Sequence, residues 1–326
     1  MSYAVRGGGA SSVTPRATSA LSRSRDPFRA DAGPRDEHQL RGAGAADAAR
    51  PHTHPPERHA RALPLSVIVT ADDLGLSTGV TRGILEAHRR GVVRSTSLIV
   101  TYPAAQEAAA LALAEPDLEI GLHLDLVGGR PASDPASVPS LCDENGTFYP
   151  LSVFTRRLFT GRVRPAELAR ELRAQAARAR SWGVPALAWD SHRHVHLLPP
   201  VALVVGHVAR DLGVRWVRRA RAPRLRTELK TASLAAASLV SDLAFRGIRG
   251  PSWYVDLTSQ RPRLDAAGVA LLAAYGGLGE VAGHPGYVDD DLSLADGLLP
   301  RADDLALLTD PLLRTALGRD VLWRVH

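Results

Sequence analysis

Four short stretches of the chain carry side chains able to hold a cation or move a proton. The sharpest is Asp190-Ser191-His192-Arg193-His194-Val195-His196, in which Asp190, His192, His194 and His196 share one parity. An extended strand projects such residues to one side. Imidazole is the commonest neutral ligand for borderline divalent metals, and a carboxylate beside it can orient the ring. Stacked polar groups are very costly in a dry core, so the pattern points to a metal-centred cavity or to a polar outer edge strand. Asp72-Asp73 follows an apolar run; adjacent carboxylates repel unless a cation or a proton shares the site, the ordinary alternative being a solvated turn or a helix cap. In Gly121-Leu122-His123-Leu124-Asp125, alternation sets Gly121, His123 and Asp125 opposite the two leucines, although a lone strand histidine is commonly a hydrogen-bonded core residue. Gly283-His284-Pro285-Gly286-Tyr287 offers His284 as a proton donor, or simply a turn. A His/His/Asp set drawn from separate strands leaves positions open for water and substrate, lowers the pKa of bound water and polarises a carbonyl. The chemistry expected is metal-assisted hydrolysis.

Other chemistries find less support. No serine-nucleophile elbow is expected, and no Walker-type loop is present. The single cysteine, Cys142, lies in a loop expected to be mobile, beside Asp143 and Glu144, which disfavour its thiolate.

The elements that must position these residues alternate. Strands are expected at 65–70, 95–100, 119–124, 187–196 (running into a loop), 214–217, 252–257 and 280–283. Helices are expected over 78–90, 103–114, 165–182, 200–212, 225–247, 264–274 and 302–317, with a Gly/Pro/Ser-rich loop at 127–150. Ser77 or Thr78 can cap the first helix and Gly91 can stop it. Such alternation implies a mainly parallel α/β fold, an irregular (β/α) barrel over 63–326, with chemistry at the strand ends. Residues 1–62 read as a disordered tail in which His52, His54 and His59 are solvated.

The 326 residues carry a net charge of +6. Residues 1–62 hold ten Arg against six Asp and Glu, so the body is close to neutral and lacks a global field for nucleic acid. Only a local patch at Arg215, Arg218, Arg219, Arg221, Arg224 and Arg226 could serve an RNA-associated protein. No apolar run is long enough for a membrane span, and cysteine scarcity favours a cytoplasmic address.

Val67-Ile68-Val69-Thr70-Ala71-Asp72-Asp73-Leu74-Gly75-Leu76-Ser77 resembles the opening of the YdjC-like carbohydrate deacetylases, which include chitooligosaccharide deacetylases and hopanoid-biosynthesis-associated relatives. The resemblance continues through Gly83–His88, Gly91-Val92-Val93, Ser95–Leu98, Ile120–Leu126, Asp190–His196 and His284-Pro285-Gly286. Leu74 stands where Phe is more usual. The resemblance implies a barrel akin to polysaccharide deacetylases and a divalent cation, Mg²⁺ or Zn²⁺, on Asp73, His123 and His192. It implies Asp72 as general base and His284 as general acid. Asp190, His194, His196, Asp125 and Tyr287 would then contact substrate or support the site. The implied reaction releases acetate from an N-acetylated sugar. The alternatives are a metal-dependent phosphoesterase on a similar barrel and a non-catalytic sugar-binding relative.

Overall fold

The computed structural model describes residues 66–219, 221, 239–260, 263–273, 277–292, 296 and 299–317. The predicted tail 1–62, most of the helix expected over 225–247, and Arg224 and Arg226 lie outside the described residues.

Among the described residues, seven strands form one wholly parallel sheet: β1 Ser66–Leu74, β2 Ser95–Leu98, β3 Glu119–Leu124, β4 Ala188–Ser191, β5 Trp216–Val217, β6 Trp253–Asp256 and β7 Leu278–Gly283. Their order is β5-β4-β3-β2-β1-β7-β6. β1 lies inside the sheet between β2 and β7, and its Val67-Ile68-Val69 run is buried, as a parallel strand covered on both faces requires. Among the described residues the edges are joined without a regular ladder. A single bridge links Trp216 and Arg249, and the Tyr254 N–H donates to the Arg221 carbonyl at 2.8 Å. The result is a curled, irregular barrel.

Around it pack α1 Thr78–Arg90, α2 Ala105–Leu113, α3 Leu151–Phe159, α4 Pro165–Ser181, α5 Pro199–Asp211, α6 Ala266–Ala273, α7 Arg301–Leu308 and α8 Pro311–Leu317. α4 and α5 begin on proline, whose missing N–H is an orphan there in any case. Ser77 caps α1 by accepting the Val80 N–H at 3.2 Å. Gly91 does follow α1, but its φ of −123° is not left-handed. Glycine is needed there because a Cβ would sit 2.0 Å from the Leu308 carbonyl oxygen at the end of α7. No described helix is long and apolar enough to cross a membrane.

The 127–150 loop is better anchored than its composition suggests. Glu167, Glu171 and Gln175 recur every four residues on one face of α4 and are buried. Glu171 accepts the N–H groups of Ala132 and Ser133, Glu167 accepts that of Ser140, and Gln175 holds the backbone of Asp125. Cys142 is buried and bridges to Phe148. Burial, then Glu171 and Asp143, pushes its thiol up to about 11, so it is no nucleophile.

Candidate active site

The carboxylate pair is presented by a bulge. β1 pairs with β2 at Thr70–Ser95 and Ala71–Thr96, then resumes at Leu74–Leu98, so β1 carries one extra residue. That residue, Asp73, takes φ 74°, a conformation that costs a non-glycine residue energy and persists only where its surroundings enforce it. Regular pleating would send neighbours to opposite faces; here Asp72 and Asp73 line one cavity of about 410 Å³.

Asp73, His123 and His192 meet in that cavity. Asp73 Oδ1 lies 3.3 Å from His123 Nε2 and 3.0 Å from His192 Nδ1. One ligand atom from each lies within 4.8 Å of the others. The atoms turned away are each braced. His123 Nδ1 is 2.8 Å from Asp190 Oδ1, its register partner on β4. His192 Nε2 is 3.5 Å from Asp296 Oδ1, and Asp73 Oδ2 accepts from Arg301 at 2.9 Å. Metal-binding imidazoles characteristically give their second nitrogen to a carboxylate. His123 does so with Asp190, a carboxylate of Asp296 stands 3.5 Å behind His192, and the donor set fits a divalent cation.

The electrostatics agree. Burial opposes charge on His123, but Asp190, Asp73 and Asp72 outweigh it and push its pKa up to about 10. Burial opposes charge on His192 as well, and Asp73 and Asp296 push it up to about 9. Burial would raise Asp73, yet His192, His123 and Arg301 hold it well below the usual carboxylate range.

The turn after β4 overturns the parity expectation. The strand stops at Ser191, and His192–Leu197 is a tight 3₁₀-type turn with φ 54° at Arg193 and His194. Asp190, His192, His194 and His196 therefore do not share a face. Ser191 Oγ donates to His196 Nδ1 at 2.5 Å and accepts the His196 N–H at 3.0 Å, clasping the turn shut. His196 Nε2 donates to the Arg218 carbonyl at 3.0 Å. Burial, then neighbouring His194, drives His196 down to about 3, so it is a neutral brace. His194 lines the cavity, 3.5 Å from the Tyr254 hydroxyl and 3.9 Å from Asp256.

Arg218 is wholly buried, which removes it from any surface basic patch. Its guanidinium grips Asp72 at 2.6 and 2.8 Å, Asp190 at 2.8 Å and Glu280 at 2.8 Å. A buried charge must be paired in this way. In the connected ion-pair network, Asp72, Asp73, Asp190, Glu280 and Asp296 face Arg193, Arg218 and Arg301. Among the described residues, five carboxylates against three guanidiniums leave a formal surplus of two negative charges. Two imidazolium rings or one divalent cation would cancel it.

A family model described as YdjC-like protein matches residues 66–319. The chain belongs to the YdjC-like family. It is 39% identical over 259 residues to a carbohydrate deacetylase of Geobacillus stearothermophilus, covering 77% of this chain and 92% of that protein. It is 35% identical over 256 residues to a chitooligosaccharide deacetylase of Serratia marcescens, covering 77% and 94%. A solved Enterococcus faecalis V583 protein named for cellobiose-phosphate cleavage superposes with a TM-score of 0.64 at 27% identity, covering 77% and 93%.

Other expected residues of this YdjC-like chain fall differently. His284, directly after β7, lines the cavity with Asp256 and Thr258 from β6 and its following turn. Asp125 is buried, with its carboxylate accepting from Thr101 and the Val127 N–H, and it anchors the loop after β3. Tyr287 is turned outward: its hydroxyl donates to Glu86 at 2.6 Å and its ring lies under Arg82, in a separate surface recess beside α1. Gly75-Leu76-Ser77-Thr78-Gly79 does carry the Gly-x-Ser-x-Gly spacing of a nucleophile elbow. Its serine is the buried cap of α1, so the spacing is structural. Sequence reasoning missed Glu280, Asp296 and Arg301. Glu280 alone left a trace, a charge inside an apolar strand.

Proposed function

We propose that this YdjC-like chain is a metal-dependent carbohydrate N-deacetylase that releases acetate from an N-acetylated sugar. The observation that carries the reading is the Asp73–His123–His192 set, braced from behind by Asp190, Asp296 and Arg301, in a cavity that Asp72 and His284 also line. The names of the Geobacillus and Serratia relatives supply the substrate class.

A divalent cation in that set supplies a polarised acetyl carbonyl and a more acidic water. Asp72 takes the proton of the attacking water. Arg218 fixes its carboxylate through two hydrogen bonds, and Oδ2 accepts only one of them, leaving a lone pair for the proton. His284 donates a proton to the departing amine. Leu299 and Pro300 give the cavity an apolar side suited to a sugar's C–H face. Base and acid act in opposite protonation states, so the rate has a bell-shaped pH profile.

A two-metal phosphoesterase would need the neighbouring Asp72–His123–Asp190 group for its second cation. Arg218 already binds both carboxylates, which favours a single-metal hydrolase. The test strips the protein with a chelator, restores Zn²⁺ or Mg²⁺ singly, and measures acetate from N-acetylglucosamine oligomers alongside phosphate from aryl phosphates. Acetate release that returns with one cation supports the reading. Undiminished release by stripped protein, or turnover of the phosphates alone, refutes it.

A further inference from the structure

Thr258 and Asp304 stand behind His284 in an arrangement the chemistry above leaves unused. Thr258 Oγ1 lies 2.7 Å from His284 Nδ1 and 2.7 Å from Asp304 Oδ2. Asp304 Oδ2 also accepts the His284 backbone N–H at 2.9 Å. Asp304 is fully buried near the start of α7 and is paired with Arg263.

The hydroxyl has one proton to give, and a carboxylate only accepts. The Thr258 proton therefore goes to Asp304, and Thr258 Oγ1 must accept from His284. That places a hydrogen on Nδ1 in both the neutral and the charged ring, and leaves Nε2 as the atom that gains and loses a proton. Asp256 does not orient the ring directly. Its Oδ1 is 3.9 Å from Nδ1, beyond hydrogen-bond range, and accepts the Thr258 N–H at 2.9 Å. His194 lies 3.9 Å beyond Asp256, Asp303 lies 3.9 Å from Arg263, and Asp72 and Asp73 share the cavity.

We propose that Thr258, backed by Asp304, is a positioning residue that fixes His284 as the Nδ1–H tautomer and aims Nε2 at the leaving nitrogen. The proposal rests on His284 as the proton donor.

The test compares the wild type with Thr258→Val and Thr258→Ser in the full chain. ¹⁵N imidazole spectra, with His284 assigned through His284→Gln, should show the neutral ring as Nδ1–H in the wild type and shifted toward Nε2–H in Thr258→Val. A positioned acid contributes about 10²–10⁴-fold and losing its orientation removes part of that, so kcat on an N-acetylated sugar should fall by about 10–100-fold, with KM and bound metal unchanged. Hydrolysis of p-nitrophenyl acetate should fall far less, because a phenolate departs without a proton. Thr258→Ser should restore the tautomer and the rate. An Nε2–H ring in the wild type, or equal losses on amide and aryl ester, overturns the proposal. If the wild type hydrolyses no N-acetylated sugar, the deacetylase reading fails, while the spectra still decide whether Thr258 sets the tautomer.

Discussion

Cation uptake should release two protons near neutral pH. Metal ligation needs neutral imidazole, whereas the metal-free His123 and His192 have pKa values of about 10 and about 9. At pH 7 both rings are charged, and one divalent cation then replaces two unit charges in a network whose formal surplus is two. Two protons released per ion make apparent affinity rise about 100-fold per pH unit, or about 10⁴-fold from pH 6 to pH 8, before flattening between 9 and 10. The assay is calorimetric titration of chelator-stripped protein in buffers of different ionisation enthalpy, which counts protons directly. Asp190→Asn removes the strongest upward push on His123, so the count near pH 8 should drop toward one and affinity should fall about 10–100-fold. The sign for stability follows from the same shifts. Raised histidine pKa values stabilise the metal-free fold below the unfolded value of about 6.5, and that contribution is lost as pH rises through about 9 and about 10. A release near zero at pH 7, or affinity flat from pH 6 to pH 8, would refute the reasoning.

Asp72→Asn should retain the cation but lose about 10²–10⁴-fold in acetate release, measured under saturating metal. Arg218→Met strands three buried carboxylates, and urea unfolding should show a loss of about 3–5 kcal/mol. A loss under 1 kcal/mol would mean that the network relaxes. His196, depressed to about 3 in the fold, is protonated only on unfolding in mildly acid solution. It should therefore cost about 1.4 kcal/mol of stability per pH unit as pH falls from about 6.5 toward 3. Urea midpoints of His196→Gln should lack that part of the acid slope.

Local pattern in the chain carried the architecture. Apolar runs such as Val67–Val69, prolines at helix starts and the Ser77 cap are short-range signals, and each of the seven described strands overlaps a stretch they mark, although β1 runs on to Leu74 and β4 stops at Ser191. The strand-end pattern marked Asp72-Asp73, His123, His192, His194, His196 and His284 as candidates, because strand ends of parallel β/α units gather at one face; only the resemblance to the YdjC-like family singled out Asp73, His123 and His192 among them. Tertiary structure alone decided how those side chains are held. Parity failed at His194 and His196 because two residues with φ 54° end the strand, a bend favoured once Ser191 and His196 can clasp each other. Arg218 reads as one arginine of a basic run, yet it turns inward because Asp72, Asp190 and Glu280, each more than 25 residues away, leave negative charge that burial must neutralise. Asp296 and Arg301 brace His192 and Asp73 across more than 100 residues. Periodicity and capping act over a few residues. Charge balance among buried groups is a property of the assembled barrel, so the partners that tune this site are visible only once the chain has folded.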